Sequence, residues 1–134
     1  MLKVLIIDDD DIVILVQGKL LQNCKVTQDP IKFKRASEAV EYLHTASKEH
    51  HYLLMLDINM PLMNGWQFLD EIDKMAVKDN IYVLMVTSSI DYNDKEKAKN
   101  YDKIINFIEK PITAKNCDQL KELPILKPFF QKSN

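Results

Sequence analysis

Three short runs constrain this chain most: VLII at 4–7, LLML at 53–56 and IYVLMV at 81–86. None alternates apolar with polar residues, so none suits a strand with one wet face. Near-continuous apolar strands belong in a parallel sheet covered on both sides. Parallel strands also need crossover connections of a dozen or more residues, usually helices. Each run then meets polar residues abruptly, at Asp8, Asp57 and Thr87.

The spacing predicts strands at 2–7, 25–28, 52–56, 81–86 and 103–108. Helices are expected between them. Residues 36–47 carry Ala36, Ala39, Val40 and Leu43 on one helical stripe, and residues 65–75 carry Trp66, Leu69 and Ile72. Residues 91–101 are mostly charged and predict an exposed helix. Residues 113–123 open on a Thr cap and stop before Pro124. IVILV within 12–21 is β-branched and would pass for a strand, but the crossover after the first strand makes it a helix. Strands alternating with helices give an α/β domain with a parallel sheet. The tail at 124–134 contains PILKPFF, and its packing is left open.

At 134 residues the chain is one domain. A net charge of -2 leaves no basic footprint for nucleic acid. KEKAK at 95–99 mixes both signs and reads as a solvated helix face. The N-terminal apolar run is too short for a signal peptide, and no run reaches membrane-spanning length. Cys24 and Cys117 lie far apart in sequence and have no metal-ligand spacing; a lone disulfide between them is one reading, and free thiols in a reducing cytosol are the expectation. The reading is a cytoplasmic protein. His44, His50 and His51 lack ligand partners, and His50-His51 reads as a solvated loop. Trp66, Phe68 and the six methionines read as packing residues.

In a parallel sheet all strands end at one edge, and ligands bind there. The first strand ends in Asp8, Asp9, Asp10 and Asp11, the third in Asp57, the fourth in Thr87 followed by Ser88 and Ser89, and the fifth in Glu109 and Lys110-Pro111. Singly, each has a bland reading: Asp11 is a helix cap, and a Thr or Lys at a strand end is turn or surface chemistry. Together they place carboxylates, a hydroxyl and an ammonium at one edge. Crowded carboxylates cannot all stay ionised unaided. Oxygen donors without His or Cys favour magnesium or calcium over zinc. Lys110 is then a point charge for a phosphoryl group, Thr87 a hydroxyl donor, and Asp57 a nucleophile able to form an aspartyl-phosphate.

With LIIDDD, LLMLDINMPLMNGW, VLMVTSS and FIEKP in that order, the chain resembles the receiver domain of two-component response regulators, the CheY-like fold. The resemblance runs to about Leu123, giving a receiver domain at 1–123 and a tail at 124–134. It implies a doubly wound, five-stranded parallel sheet in the order 2-1-3-4-5. It implies a response regulator that takes a phosphoryl group from a phospho-histidine of a sensor kinase or phosphotransfer protein onto Asp57. Mg2+ would be held by Asp8, Asp9, Asp57 and the Asn59 backbone carbonyl, with Asp9 the more direct ligand. Thr87 and Lys110 would contact the phosphoryl group, Thr87 and Phe107 would form the switch, and Lys110-Pro111 matches a peptide that is often cis. Asn59 and Ser89 fall at positions that tune phosphate lifetime. The chain departs from the family in carrying IIN where Gly-Ala often precedes the switch aromatic, and in its short last helix. No effector is expected after the receiver, so output would be protein contact or phosphoryl relay, without direct DNA binding. The protein would take part in its own phosphorylation without being a dedicated enzyme.

Two rivals differ in kind. Asp9-Asp10-Asp11-Ile12-Val13 matches the D-x-D-x-[TV] pattern of haloacid-dehalogenase-type phosphatases, with Asp9 as nucleophile and Asp11 as acid/base. That reading leaves Asp57 and its loop unexplained. The other rival, a docking module that is never phosphorylated, has no sequence feature in its favour.

Overall fold

The computed structural model describes residues 1–88 and 90–131. The strands are β1 (Leu2–Ile7), β2 (Ile31–Phe33), β3 (His51–Asp57), β4 (Ile81–Thr87) and β5 (Ile104–Glu109). They form one parallel sheet in the order β2-β1-β3-β4-β5. The three apolar runs are its three central strands, which explains why they do not alternate. Edge strands β2 and β5 are less buried.

Helices α1 (Asp11–Asn23), α2 (Ala36–His44), α3 (Gly65–Ile72), α4 (Tyr92–Ala98), α5 (Ala114–Glu122) and α6 (Lys127–Phe130) cover the two faces. Alternation along the strands sorts the core into two layers. Leu5, Ile7, Leu54, Leu56, Val83 and Met85 pack toward the α2 and α3 face. Val4, Ile6, Leu53, Met55, Leu84 and Val86 pack with Ile14, Leu21, Cys117 and Leu120 of α1 and α5. Phe129 and Phe130 of the tail pack half-buried on this second layer. Residue 89 and residues 132–134, among them Ser89, lie outside the described residues.

Several expectations need correction. The second strand is at Ile31–Phe33, not 25–28. Lys25 adopts a positive φ of 62°, and the Val26 and Thr27 N–H groups return to the Leu21 carbonyl. That segment therefore closes α1, and Val26 is buried as part of the closure. Pairing with β1 begins only after Pro30, at Leu5 with Ile31. The α1 cap is Asp10, whose carboxylate accepts the Ile12 and Val13 N–H groups, while Asp11 is the first helical residue. Helix α2 ends at His44 instead of 47, where the Thr45 N–H turns back to the Tyr42 carbonyl. Helix α3 ends at Ile72 instead of 75, as Lys74 and Met75 bond three residues back in a tightened turn. His51 is no solvated loop: it opens β3, accepts or donates a 3.0 Å hydrogen bond with the Tyr82 hydroxyl, and packs against Phe129.

As expected, α4 is charged and buries no residue. Thr113 caps α5 in a capping box with Asn116. The register of β4 against β5 slips between Val83 and Leu84, opposite the Ile-Ile-Asn stretch.

Candidate functional site

The C-terminal ends of β1, β3, β4 and β5 converge. Asp8 follows β1 directly and is held by its own backbone, since its N–H donates to the Phe33 carbonyl at 3.1 Å. Its Oδ1 accepts the Asp10 N–H at 2.9 Å. Asp10 in turn caps α1. The acidic run therefore divides its labour: Asp8 faces inward, Asp9 stays exposed at the rim, Asp10 starts the helix, and Asp11 pairs with Lys34 at 3.1 Å.

Asp57 closes β3 and is only 6% exposed. The loop after it is anchored by Gly65, whose N–H donates to the Ile58 carbonyl at 2.8 Å. A Cβ on Gly65 would stand 2.9 Å from the Asp57 carbonyl oxygen and 3.0 Å from Ile58 Cα. Glycine is needed here for this close approach. It is not needed for a left-handed backbone, since the left-handed residue of the loop is Leu62, with φ 71°. The loop ends in a capping box in which Asn64 and Gln67 exchange backbone and side-chain hydrogen bonds. The box fixes the start of α3 and hence the path back from Asp57.

Lys110 reaches into the group from the end of β5. Its ammonium lies 2.7 Å from Asp8 Oδ2 and 3.4 Å from Asp57 Oδ1. Its N–H donates to the Thr87 carbonyl at 2.7 Å, tying the ends of β4 and β5 together. The following Lys110-Pro111 peptide is cis. Thr87, 1% exposed, is the last residue of β4.

Burial pushes the Asp57 carboxyl above the usual carboxylate range, and the charge of Asp8 adds to this. The Lys110 ammonium and the Asn59 N–H oppose that shift without cancelling it. For Lys110, burial works against the charge, but its contacts with Asp8 and Asp57 outweigh it and the pKa rises.

Asp8, Asp9 and Asp57 bring carboxylate oxygens within 4.8 Å of one another. Asp8 Oδ2 is buried, and although the Lys110 ammonium is near, it makes no hydrogen bond of good geometry. An all-oxygen set with one under-satisfied buried oxygen fits a hard divalent cation such as Mg2+. Asp11 stands outside this set, so the acid/base residue of the phosphatase pattern is turned toward Lys34 instead.

Residues 4–121 match the response regulator receiver domain family. The chain belongs to that family. It is a receiver domain of the kind used in two-component signal transduction. Among curated relatives it is 27% identical over 134 residues to hybrid signal transduction histidine kinase L of Dictyostelium discoideum, covering 98% of this chain and 7% of that protein. It is 26% identical over 111 residues to the sensor histidine kinase RcsC of Escherichia coli, covering 79% of this chain and 11% of that protein. The receiver thus spans a small part of these relatives. A response regulator receiver protein from Dyadobacter fermentans superposes with a TM-score of 0.81 at 26% identity, covering 92% of this chain and 98% of that one. A two-component response regulator from Cytophaga hutchinsonii superposes at 0.79 with 28% identity, covering 90% and 93%. The receiver fold, with its 2-1-3-4-5 sheet, agrees with the sequence expectation.

Six of the expected site residues gather at this edge: Asp8, Asp9, Asp57, Asn59, Thr87 and Lys110. Phe107 stands apart, half-buried on β5 against the α2 and α3 layer. What the sequence missed is the support: Asp10 as the cap, Asn64 with Gln67 as the box, and Leu62 as the left-handed residue. Among the described residues, no helix is long and apolar enough to cross a membrane.

Proposed function

We propose that this receiver accepts a phosphoryl group on Asp57 from a phospho-histidine of a sensor histidine kinase or phosphotransfer protein. The observation that carries the reading is a buried carboxylate, lifted in pKa by burial, with an ammonium 3.4 Å away and two further carboxylates beside it. Attack by an Asp57 oxygen forms an O–P bond as the donor's N–P bond breaks, and the imidazole leaves with its electron pair. Asp8, Asp9, Asp57 and the Asn59 carbonyl would hold Mg2+. When bound, this ion would supply positive charge to the phosphoryl oxygens. Lys110 places a second positive charge there, and Thr87 a hydroxyl donor. The donor brings the activated bond, so the receiver is a phosphoacceptor rather than a dedicated enzyme, and a cytoplasmic one.

Exposed apolar side chains beside the site, Ile12, Leu15 and Val16 on α1, suit a donor that docks by apolar contact. Output follows from strand alternation. Thr87 shares its face of β4 with Met85, which pairs with Phe107. A phosphoryl group drawing Thr87 toward Asp57 vacates space on the side where Phe107 lies. Rotation of Phe107 would then alter the surface of α4, β5 and α5.

The test is transfer from a phosphorylated histidine donor. Wild type should take up phosphate in Mg2+ and not in excess chelator, and Asp57→Asn should take up none. Full uptake by Asp57→Asn would overturn the reading.

A further inference from the structure

The chain has two cysteines, 24 and 117, and phosphoryl transfer uses neither. Far apart in sequence, they meet in the fold. Cys24 caps the C-terminal end of α1 and is half-buried, and Cys117 lies in α5 and is fully buried. Both pack in the same apolar layer. The Cys24 thiol is near enough to help raise the pKa of the Cys117 thiol. A second contact fixes the approach: Lys121, one turn beyond Cys117 on α5, donates to the Cys24 carbonyl at 2.7 Å. One face of α5 therefore presents both Cys117 and Lys121 to the end of α1. The Cys24 S–H is directed to the Leu21 carbonyl at 3.8 Å.

We propose that Cys24 and Cys117 form a redox site, a dithiol that an oxidant of the hydroperoxide class closes to an intramolecular disulfide between α1 and α5. The two thiols have unequal roles. Burial first, and the neighbouring Cys24 next, push the Cys117 thiol up to about 12, so it stays protonated. Cys24, the half-buried member, meets the oxidant. Its thiolate attacks a peroxide oxygen: an S–O bond forms, the O–O bond breaks, and the departing hydroxide takes up the proton that Cys24 lost. Cys117 sulfur then attacks Cys24 sulfur. The S–S bond forms, the S–O bond breaks, and hydroxide leaves as water with the Cys117 proton. Two thiols and one hydrogen peroxide thus give one disulfide and two waters, with two electrons passing from sulfur to peroxide. The bond would fasten α5, part of the proposed output face, to the end of α1.

The experiment treats the full chain with hydrogen peroxide under native conditions. Free thiols are then counted by alkylation in denaturant, with intact mass measured in parallel. The expected result is a monomer that loses both thiols and two hydrogens, melts higher than the reduced protein, and reverts with dithiothreitol. Cys117→Ser should instead stop at an oxygen adduct on Cys24 or link two chains. The proposal is overturned if wild type keeps both thiols, gains oxygen without losing hydrogens, or forms only disulfide-linked dimers. Asp57→Asn should close the disulfide as readily as wild type, so the result stands apart from the phosphorylation reading.

Discussion

The Lys110 ammonium sits 2.7 Å from Asp8, closer than its 3.4 Å to Asp57, the proposed phosphoacceptor. In the absence of a cation, Lys110 is the principal positive charge on a buried acidic pair. Removing it leaves Asp8 and Asp57 uncompensated. Lys110→Met should destabilise the protein by a few kcal/mol, on the order of the cost of breaking a buried ion pair. The loss should be largest in chelator and partly recovered in Mg2+, read as melting temperature in the two conditions. Equal losses in both would mean that the cation and Lys110 do not share a site.

Asp57 titrates in the opposite sense from a salt-bridged surface carboxylate. Burial, with the charge of Asp8, raises its folded pKa. A raised carboxyl stabilises the folded state only while protonated. Its contribution is full below the unfolded value of about 3.9 and is lost as pH rises through the folded value. At neutral pH the ionised group is a net cost. Asp57→Asn should therefore melt higher than wild type at neutral pH in chelator, with the gain shrinking toward pH 4. Lys110 keeps Asp8 as partner in the variant. A variant melting lower at neutral pH would contradict this assignment.

Gly65 is a packing requirement of the loop that follows Asp57. An added Cβ meets backbone atoms of Asp57 and Ile58 at 2.9 and 3.0 Å, and backbone cannot rotate away as a side chain can. Gly65→Ala should destabilise by roughly 1–3 kcal/mol, the usual range for overpacking, and slow phosphate uptake because Asp57 is displaced. Denaturant unfolding with an unchanged midpoint would remove the steric account.

The proposed switch separates uptake from output. Thr87→Ala and Phe107→Ala should each still take up phosphate, while the gain in partner affinity on adding beryllofluoride falls. A ligand shifts a two-state element only by its differential affinity for the states. Undiminished gain in both variants would leave a switch that runs by another route.

The central strands were legible because burial on both faces removes alternation, leaving VLII, LLML and IYVLMV as plain apolar runs. The polar ends of those strands were legible for the same reason, since charge after a buried strand stands out. Strand β2 was not. It has three residues at a sheet edge, and Val26-Thr27, more strand-like by propensity, is claimed by the closure of α1. The cap at Asp10 was hidden inside a run of four aspartates, where only backbone geometry tells one from the next. The meeting of Cys24 and Cys117 depends on how α5 lies against α1, which no local pattern encodes.

The measurement closest to the central claim is the position of the phosphoryl label. The protein is phosphorylated in Mg2+, the acyl phosphate is reduced with borohydride, and the marked residue is located by peptide mass spectrometry. The account requires the mark at Asp57 alone, and its loss when chelator replaces Mg2+. A mark at Asp9 would instead support the phosphatase-like reading and contradict the role given to Asp57.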